Sequence, residues 1–248
     1  MPTSCWRPND EARPALRRGA GGCGGRASAA HRRDGEEGLL PLNLPDAGLI
    51  ETLAPPERLA LAYAPAALRG RWLALLALDA RMGGVVRGAR EPVLAQLKLA
   101  WWRDRLGDDP ARWPKGEPLL ALLRDIADCT PLAALVDGWE ALLAAPPLGE
   151  GGLQGLAEAR ATAVSGLFGV DAGSDLTRGW GLAALVGLPL DPADRASLDA
   201  LLAAQKWRPY RLPRALRPLL VLHHFAARAA RGQGGGLAGA IRLGLLGR

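Results

Sequence analysis

Residues 67–86 read ALRGRWLALLALDARMGGVV, the segment from which the fold class is predicted. Its apolar side chains recur every three or four residues, which is the period of an α-helix with one buried face. Asp79 falls on the same stripe as these apolar side chains, and Gly83 and Gly84 follow one turn later, where glycine lowers helix propensity. The stretch predicts a long buried helix. It also raises the question of whether Asp79 belongs to an active site or to the packing of the core.

The rest of the chain repeats this helical pattern. Aromatic residues make up only 5% of the 248 residues, and β-branched residues are sparse, which favours helices over a large sheet. Further helices are predicted to begin at Pro55, Pro92 and Pro192, because proline suits the first turn of a helix. The sequence therefore predicts an all-α fold, a single-domain bundle of about eight to ten helices.

The helix predicted after Pro92 reads VLAQLKLAWWRDRL. Val93 or Leu94 falls on one stripe with Leu97 and Trp101 at helical spacing. We expect these residues to form the apolar face of this helix.

Two segments depart from the helical pattern. Residues 1–50 contain RRGAGGCGGRASAAHRRDGEEG, which has no hydrophobic period and cannot bury enough surface to offset its ordering entropy. Residues 232–248, GQGGGLAGAIRLGLLGR, are again rich in glycine. We expect a disordered extension over residues 1–50, a helical domain over residues 51–231 and a flexible tail over residues 232–248.

The charge and cysteine content restrict the class of protein. The chain has 31 basic and 25 acidic residues and a net charge of +6. Arginine far exceeds lysine in a composition typical of a GC-rich genome, so no specific nucleic-acid partner is expected. The three cysteines form no CxxC motif, which favours a reducing compartment. No uncharged run reaches the roughly 18 residues of a membrane-spanning helix, and the N-terminus lacks the apolar core of a signal peptide. We expect a cytoplasmic protein, with peripheral contact to the inner membrane as a second possibility.

Residues 206–231 interleave arginines with Trp207 and Tyr210. The simplest interpretation is a solvated basic loop followed by an apolar helix. Among binding functions, contact with an anionic membrane surface or with a protein partner there fits better than nucleic-acid binding, since no known nucleic-acid motif surrounds the arginines.

Several segments, in one order over residues 55–230, resemble the squalene/phytoene synthase family, especially its short, divergent bacterial members. The most specific segment is LAWWRDRL at Leu99 to Leu106, because paired tryptophans followed by arginine are rare by chance. The other matching segments are ERLALAYAPAALRGRWLALLALDARMG, EPVLAQLK, PLAALVDGWEALL, AEARATAVSGLFG and LTRGWGLAAL. The resemblance implies the isoprenoid-synthase helical bundle around an apolar cavity. It also implies head-to-head joining of two prenyl diphosphates by active members, with Mg²⁺ held by aspartates four positions apart on facing helices.

The chain departs from that family at both metal-binding motifs. In the alignment that the resemblance implies, Gly83 and Gly84 stand where paired aspartates normally stand, and Arg87 stands near the next carboxylate. Asp79 lies alone, one turn earlier. The second motif corresponds to TRGWGLAALVGLPL, which has no metal ligand between Ala184 and Pro189. We therefore expect no metal cofactor and a role in binding.

Two functions stay open. The first is a squalene/phytoene synthase-like protein that has lost the Mg²⁺–diphosphate site and binds an isoprenoid, another lipid or a membrane-associated protein. Relatives of this type include mitochondrial factors that assist the assembly of respiratory complex I, so the resemblance implies an assembly role of that kind as one form of this function. The alternative is an active, Mg²⁺-dependent prenyltransferase of squalene or phytoene biosynthesis. The alternative requires carboxylates such as Asp79, Asp137 and Asp175 to meet at the mouth of the cavity.

No catalytic residue is assigned, but seven residues are candidates for a cavity or for the remnant of a site. For the glycines, the structural interpretation is close approach of a neighbouring helix. For the tryptophans it is packing in the core or at its rim, and for the charged residues it is a solvated, paired or capping role. The candidates are Asp79, Gly83, Gly84, Trp101, Trp102, Arg103 and Asp137.

Overall fold

The computed structural model describes residues 44–169, 174–208 and 210–247. This part of the chain contains eleven α-helices and no β-strand, which confirms the all-α fold class. The helices are α1 (Leu44–Thr52), α2 (Pro55–Ala62), α3 (Ala66–Arg87), α4 (Pro92–Gly107), α5 (Pro118–Leu123), α6 (Ala133–Glu140), α7 (Gly149–Phe168), α8 (Ser174–Ala184), α9 (Pro192–Ala204), α10 (Arg217–Ala229) and α11 (Leu237–Leu246).

Proline starts several helices where the sequence predicts it. Helices α2, α4 and α9 begin at Pro55, Pro92 and Pro192. At the start of α9, the Asp191 carboxylate accepts hydrogen bonds from the backbone N–H groups of Ala193 (2.7 Å) and Asp194 (3.0 Å). These bonds satisfy two of the N–H groups that the first turn of a helix leaves without intrahelical partners.

Helices α1 and α11 lie where the composition predicts no helix. Helix α1 precedes Pro55, and Leu49 within it is only 4% exposed. Helix α11 lies within residues 232–248, packs against α10 and buries Ala240 completely. Because tertiary contacts override weak local propensity, these two helices form despite their composition. Residues 1–43, most of the predicted disordered extension, lie outside the described residues.

Helix α3 is the central helix and contacts α1, α2, α4, α5, α6 and α7. The sequence places Leu68, Trp72, Leu75, Leu76 and Asp79 on one stripe of this helix. Leu68 is half-buried, and the other four are buried. Ala74 and Ala77, on the opposite side, are buried as well, so this part of α3 is enclosed on all sides. No helix within the described ranges combines the length and apolar character that crossing a membrane requires.

Helix α4 turns its predicted apolar face to the solvent. Leu97 is 62% exposed, and the residues that share its face are Val93, Leu94 and Trp101, which are 40–63% exposed. The buried face consists of Ala95, Leu99, Trp102 and Leu106. Both sets recur at three- and four-residue steps, so periodicity does not distinguish the face that packs against α3 and α6.

Candidate functional site

A cavity of about 1180 Å³ is lined by residues of α1, α2, α3, α6, α7, α8, α10 and α11 and of the loops that follow α1 and α10. Most of its wall is apolar. Apolar side chains reach it from several elements, among them Leu53, Leu59, Leu222 and Phe225. The polar side chains in the wall include Asp79 and Arg160.

Asp79 is almost fully buried, and protein donors occupy both of its carboxylate oxygens. Arg160 of α7 donates from Nε to Oδ1 at 3.2 Å and from Nη2 to Oδ2 at 2.5 Å. Trp139 of α6 donates from Nε1 to Oδ1 at 2.8 Å. Asp79 and Arg160 are only 1% and 2% exposed, so this is a buried ion pair with charge-assisted hydrogen bonds.

The guanidinium of Arg160 is fixed from a further direction. Its Nη1 donates to the backbone carbonyl of Trp180 in α8 at 2.8 Å. The guanidinium also lies 4.1 Å from the centroid of the Trp180 ring, at a distance typical of a cation–π contact. Helices α3, α6, α7 and α8 therefore meet at one charged cluster.

Arg160 was not among the sequence-based candidates. The signal that could have identified it is a single arginine among the small and apolar residues of AEARATAVSGLFG. Arginine in such a run is rarely fully buried unless it is paired. Here Ala159 and Ala163 beside it are buried as well.

Gly83 and Gly84 have different surroundings. A Cβ atom on Gly83 would lie 2.9 Å from Cζ2 of Trp139 and 2.7 Å from Nη1 of Arg87, so Gly83 leaves room for these two side chains. A Cβ atom on Gly84 would meet nothing within 4 Å. Gly84 instead lines a second cavity, of about 410 Å³. Of these two glycines, Gly83 is therefore the one at which a side chain of a neighbouring helix approaches closely.

Arg87 and Glu57 are among the other charged residues in the wall of the large cavity. The Arg87 guanidinium is 5.5 Å from the centroid of the Trp139 ring. Glu57 accepts a hydrogen bond from the backbone N–H of Ala54 at 2.8 Å. Burial, and then the nearby charge of Asp79, raise the pKa of the Glu57 carboxyl, while the Ala54 N–H, Arg160 and Arg87 partly oppose this. Glu57 therefore gives up its proton less readily than an exposed glutamate.

Arg103 and Asp137 pair with each other outside the cavity. Arg103 donates from Nε to Oδ1 of Asp137 at 2.8 Å, and it also donates to Glu140. The bond to Glu140 is the main reason that the pKa of Arg103 is raised. The Asp137 side chain is 61% exposed, so the pair is a surface link between α4 and α6.

Trp101 and Trp102 also lie outside the wall of this cavity. Trp102 is buried in the core, with the Arg81 guanidinium 5.9 Å from its ring centroid. Trp101 is 40% exposed and stands perpendicular to Trp102, with 5.1 Å between ring centroids. Trp102 therefore packs in the core, and Trp101 packs at its rim.

Asp79, Asp137 and Asp175 do not meet. Asp175 accepts a hydrogen bond from the Tyr210 hydroxyl at 3.2 Å and lies 3.6 Å from Nη2 of Arg208. Of the three aspartates, only Asp79 lines the cavity. The prenyltransferase alternative requires these three carboxylates to meet at the mouth of the cavity, and the structure places them apart.

The residues at Asp79 do not fit the Mg²⁺ site that the resemblance implies for active family members. Mg²⁺ takes oxygen ligands in a near-octahedral arrangement. The oxygens of Asp79 already accept hydrogen bonds from Arg160 and Trp139, and Gly83 and Arg87 follow on α3. A divalent cation beside Arg87 and Arg160 would also be repelled by their positive charges.

Comparison with known proteins shows no relative of this chain: no family model, no curated protein and no solved structure matches it significantly. The resemblance to squalene/phytoene synthases depends on the segments quoted above. It stays a prediction, as does the isoprenoid-synthase type of the helical fold.

Proposed function

We propose that this chain is a squalene/phytoene synthase-like protein that binds an isoprenoid or a similar single-chain lipid in its large cavity and does not catalyse prenyl transfer. The observation that carries this proposal is the Asp79 cluster. A prenyl-transfer site needs carboxylates that are free to hold Mg²⁺ on a diphosphate. Asp79 instead neutralises Arg160, with both of its oxygens engaged.

The size and the wall of the cavity support a lipid ligand. Small-molecule pockets typically have volumes of roughly 300–1,000 Å³, and this cavity has about 1180 Å³. Its wall is mostly apolar, and burial of an apolar chain contributes about 25 cal/mol per Å². A long hydrocarbon chain would therefore gain more there than a small polar metabolite.

The proposal includes a cytoplasmic location with peripheral contact to the inner membrane, because lipids of this kind partition into membranes. Arg208 and Arg211 are exposed and follow α9. Exposed arginines beside aromatic residues favour contact with anionic lipid head groups. These arginines support, on their own, only an electrostatic attraction.

Calorimetric titration with farnesol tests the binding proposal. We expect saturable binding at one site per chain. Ala183→Phe, in the cavity wall, should weaken binding at least several-fold because the larger side chain occupies the space of the ligand. Ala196→Phe, at an exposed position of α9, is the matched control and should leave the affinity unchanged. Absence of saturable binding to the folded wild-type chain would overturn the proposal.

Incubation with farnesyl diphosphate and Mg²⁺ tests the second half of the proposal. We expect release of diphosphate no faster than in the absence of protein. Mg²⁺-dependent release above that level would show that the chain is an active prenyltransferase. Loss of that release in an Asp79→Asn variant whose circular dichroism spectrum shows that it stays folded would then locate the activity at this cavity.

A further inference from the structure

The charged residues in the wall of the large cavity are mostly cationic. Within the described part of the chain, four arginines and two carboxylates line the cavity. They are Arg58, Arg87, Arg160 and Arg228, and Glu57 and Asp79. A wall that holds metal ions on a diphosphate needs an excess of carboxylates, so the charge balance here has the opposite sign.

Two of these arginines bind other groups of the protein. Arg160 is paired with Asp79. Arg228 donates from Nε to the carbonyl oxygen of Gly235 at 3.1 Å and from Nη2 to that of Gly234, so it holds the loop between α10 and α11.

Arg58 and Arg87 remain for a ligand. Neither forms a salt bridge within the residues that the structure describes, and both are exposed. The Arg87 side chain reaches its place because Gly83 has no Cβ atom, and the Trp139 ring lies beneath it at 5.5 Å. This cation–π contact holds the Arg87 guanidinium in place beside the ring.

The carboxylates offset these two arginines only weakly. Asp79 is taken up by Arg160. Glu57 then supplies one negative charge against the three positive charges of Arg58, Arg87 and Arg228 in the wall. The field inside the cavity therefore favours an anion.

We propose that the lipid bound in this cavity carries an anionic head group, and that Arg58 and Arg87 bind this head group directly, without a divalent metal ion. The inference rests on the proposed lipid-binding function and names its ligand class. Guanidinium groups bind phosphate and carboxylate oxygens through paired N–H donors. The apolar chain would lie along the leucine and phenylalanine side chains of the wall.

Three ligands that carry the same hydrocarbon chain and differ in head group measure the contribution of the head group to the affinity. They are farnesol, farnesyl monophosphate and farnesoic acid. We expect farnesyl monophosphate to bind about tenfold or more tightly than farnesol, as charge-assisted hydrogen bonds predict. EDTA should leave this preference unchanged. Equally tight binding of farnesoic acid supports a requirement for charge, and weaker binding supports a phosphate-shaped subsite.

Charge-removing variants test the role of the arginines. Arg87→Gln should reduce the preference for farnesyl monophosphate over farnesol at least several-fold and leave farnesol affinity intact, and Arg58→Gln should act in the same direction. Arg90→Gln, at an exposed position outside the cavity wall, is the matched control and should keep the full preference. Inorganic phosphate at millimolar concentration should compete with farnesyl monophosphate but not with farnesol.

The two proposals fail in different ways. If no ligand binds, the lipid-binding function itself is wrong. If all three ligands bind with equal affinity, or if EDTA abolishes the preference, only the arginine head-group site is overturned.

Discussion

Arg160 brings a full positive charge into a part of the core where its side chain is only 3% exposed. Removing a charged group from water costs several kcal/mol even after relaxation. Asp79, the Trp180 carbonyl and the Trp180 ring together offset that cost. Because each buried charge is neutralised by the other, removing one partner destabilises the protein more than removing both.

This dependence leads to a prediction for single and double variants. We expect Arg160→Met to lower the free energy of unfolding by about 3–5 kcal/mol, because Asp79 is left as an unpaired buried carboxylate. The double variant Asp79→Leu/Arg160→Met should recover most of this loss, since no buried charge remains. Urea denaturation of the wild type, both single variants and the double variant measures the coupling. Strictly additive losses would contradict the description of a buried pair.

Among the candidate residues, sequence identified Asp79 but not what Asp79 does. Its partner Arg160 lies 81 positions along the chain, and no local spacing links the two. Arg103 and Asp137 are 34 positions apart and were considered separately, although they form one ion pair. Ion pairs between distant residues depend on how the helices pack against one another. The spacing of residues within one helix does not predict that packing.

At the scale of the element, close helix contacts are set by single glycines. A Cβ atom on Gly181 of α8 would lie 2.4 Å from Cα and 2.9 Å from the backbone nitrogen of Ala157 in α7. The obstacle is backbone, which cannot move aside as a flexible side chain can. The contact between α7 and α8 therefore depends on this glycine.

We expect Gly181→Ala to destabilise the protein by roughly 1–3 kcal/mol, because overpacking forces α7 and α8 apart. Gly155→Ala is the matched control, since it lies within α7 and has nothing within 4 Å of the added atom. It should stabilise the protein by up to about 1 kcal/mol through helix propensity. Thermal unfolding of both variants distinguishes the two cases. Destabilisation by both would point to helix backbone effects and not to the α7–α8 contact.

Helix α4 shows where helical periodicity succeeds and where it fails. Its start at Pro92 follows from the sequence. Its orientation does not, because Leu97 and Leu99 belong to two apolar rows and only tertiary packing selects one. Helices α1 and α11 were missed for a related reason, since burial of Leu49 and Ala240 against other helices replaces a strong local signal.

The two rows of α4 give a comparison within one helix. Leu99→Ala should cost about 2–5 kcal/mol of unfolding free energy, because Leu99 is fully buried. Leu97→Ala, with the same chemistry at a 62% exposed position, should change it by no more than about 0.5 kcal/mol. Chemical denaturation measures both. Equal losses would mean that the exposed row is covered in solution.

At the scale of the whole molecule, the dependence of stability on pH includes a contribution from one buried histidine. His223 of α10 is 6% exposed and lies against Trp207 and Tyr210, with ring centroids 5.2 and 5.4 Å away. Burial lowers the pKa of His223 below its ordinary value of 6.5, and the Leu176 backbone and Asp175 oppose this only in part. The unfolded chain therefore takes up a proton at a higher pH than the folded protein does.

This difference predicts loss of stability on acidification. As pH falls below 6.5 towards the folded pKa, the unfolded state binds more protons, so the His223 contribution to folding is lost. His223→Phe should make the fall in unfolding free energy between pH 7.5 and 5.5 smaller. The pKa of Glu57 is shifted in the opposite direction, upward. Its contribution to the pH dependence of stability is present in both proteins, so it cancels when the variant is compared with the wild type at each pH. Between pH 7.5 and 8.5 the two proteins should change alike. Equal slopes below pH 6.5 would refute the prediction.

The loop between α10 and α11 is held differently from the rest of the cavity wall. Arg228 and His224 contact its carbonyl oxygens, at Gly234, Gly235 and Gly236, through a few hydrogen bonds. Another part of the wall is the buried cluster around Asp79. Segments with few buried apolar contacts open at lower free energy than the core. In hydrogen exchange, the loop amides should therefore exchange much faster than those of α3, and exchange of a bound ligand with solvent would leave the charged cluster undisturbed.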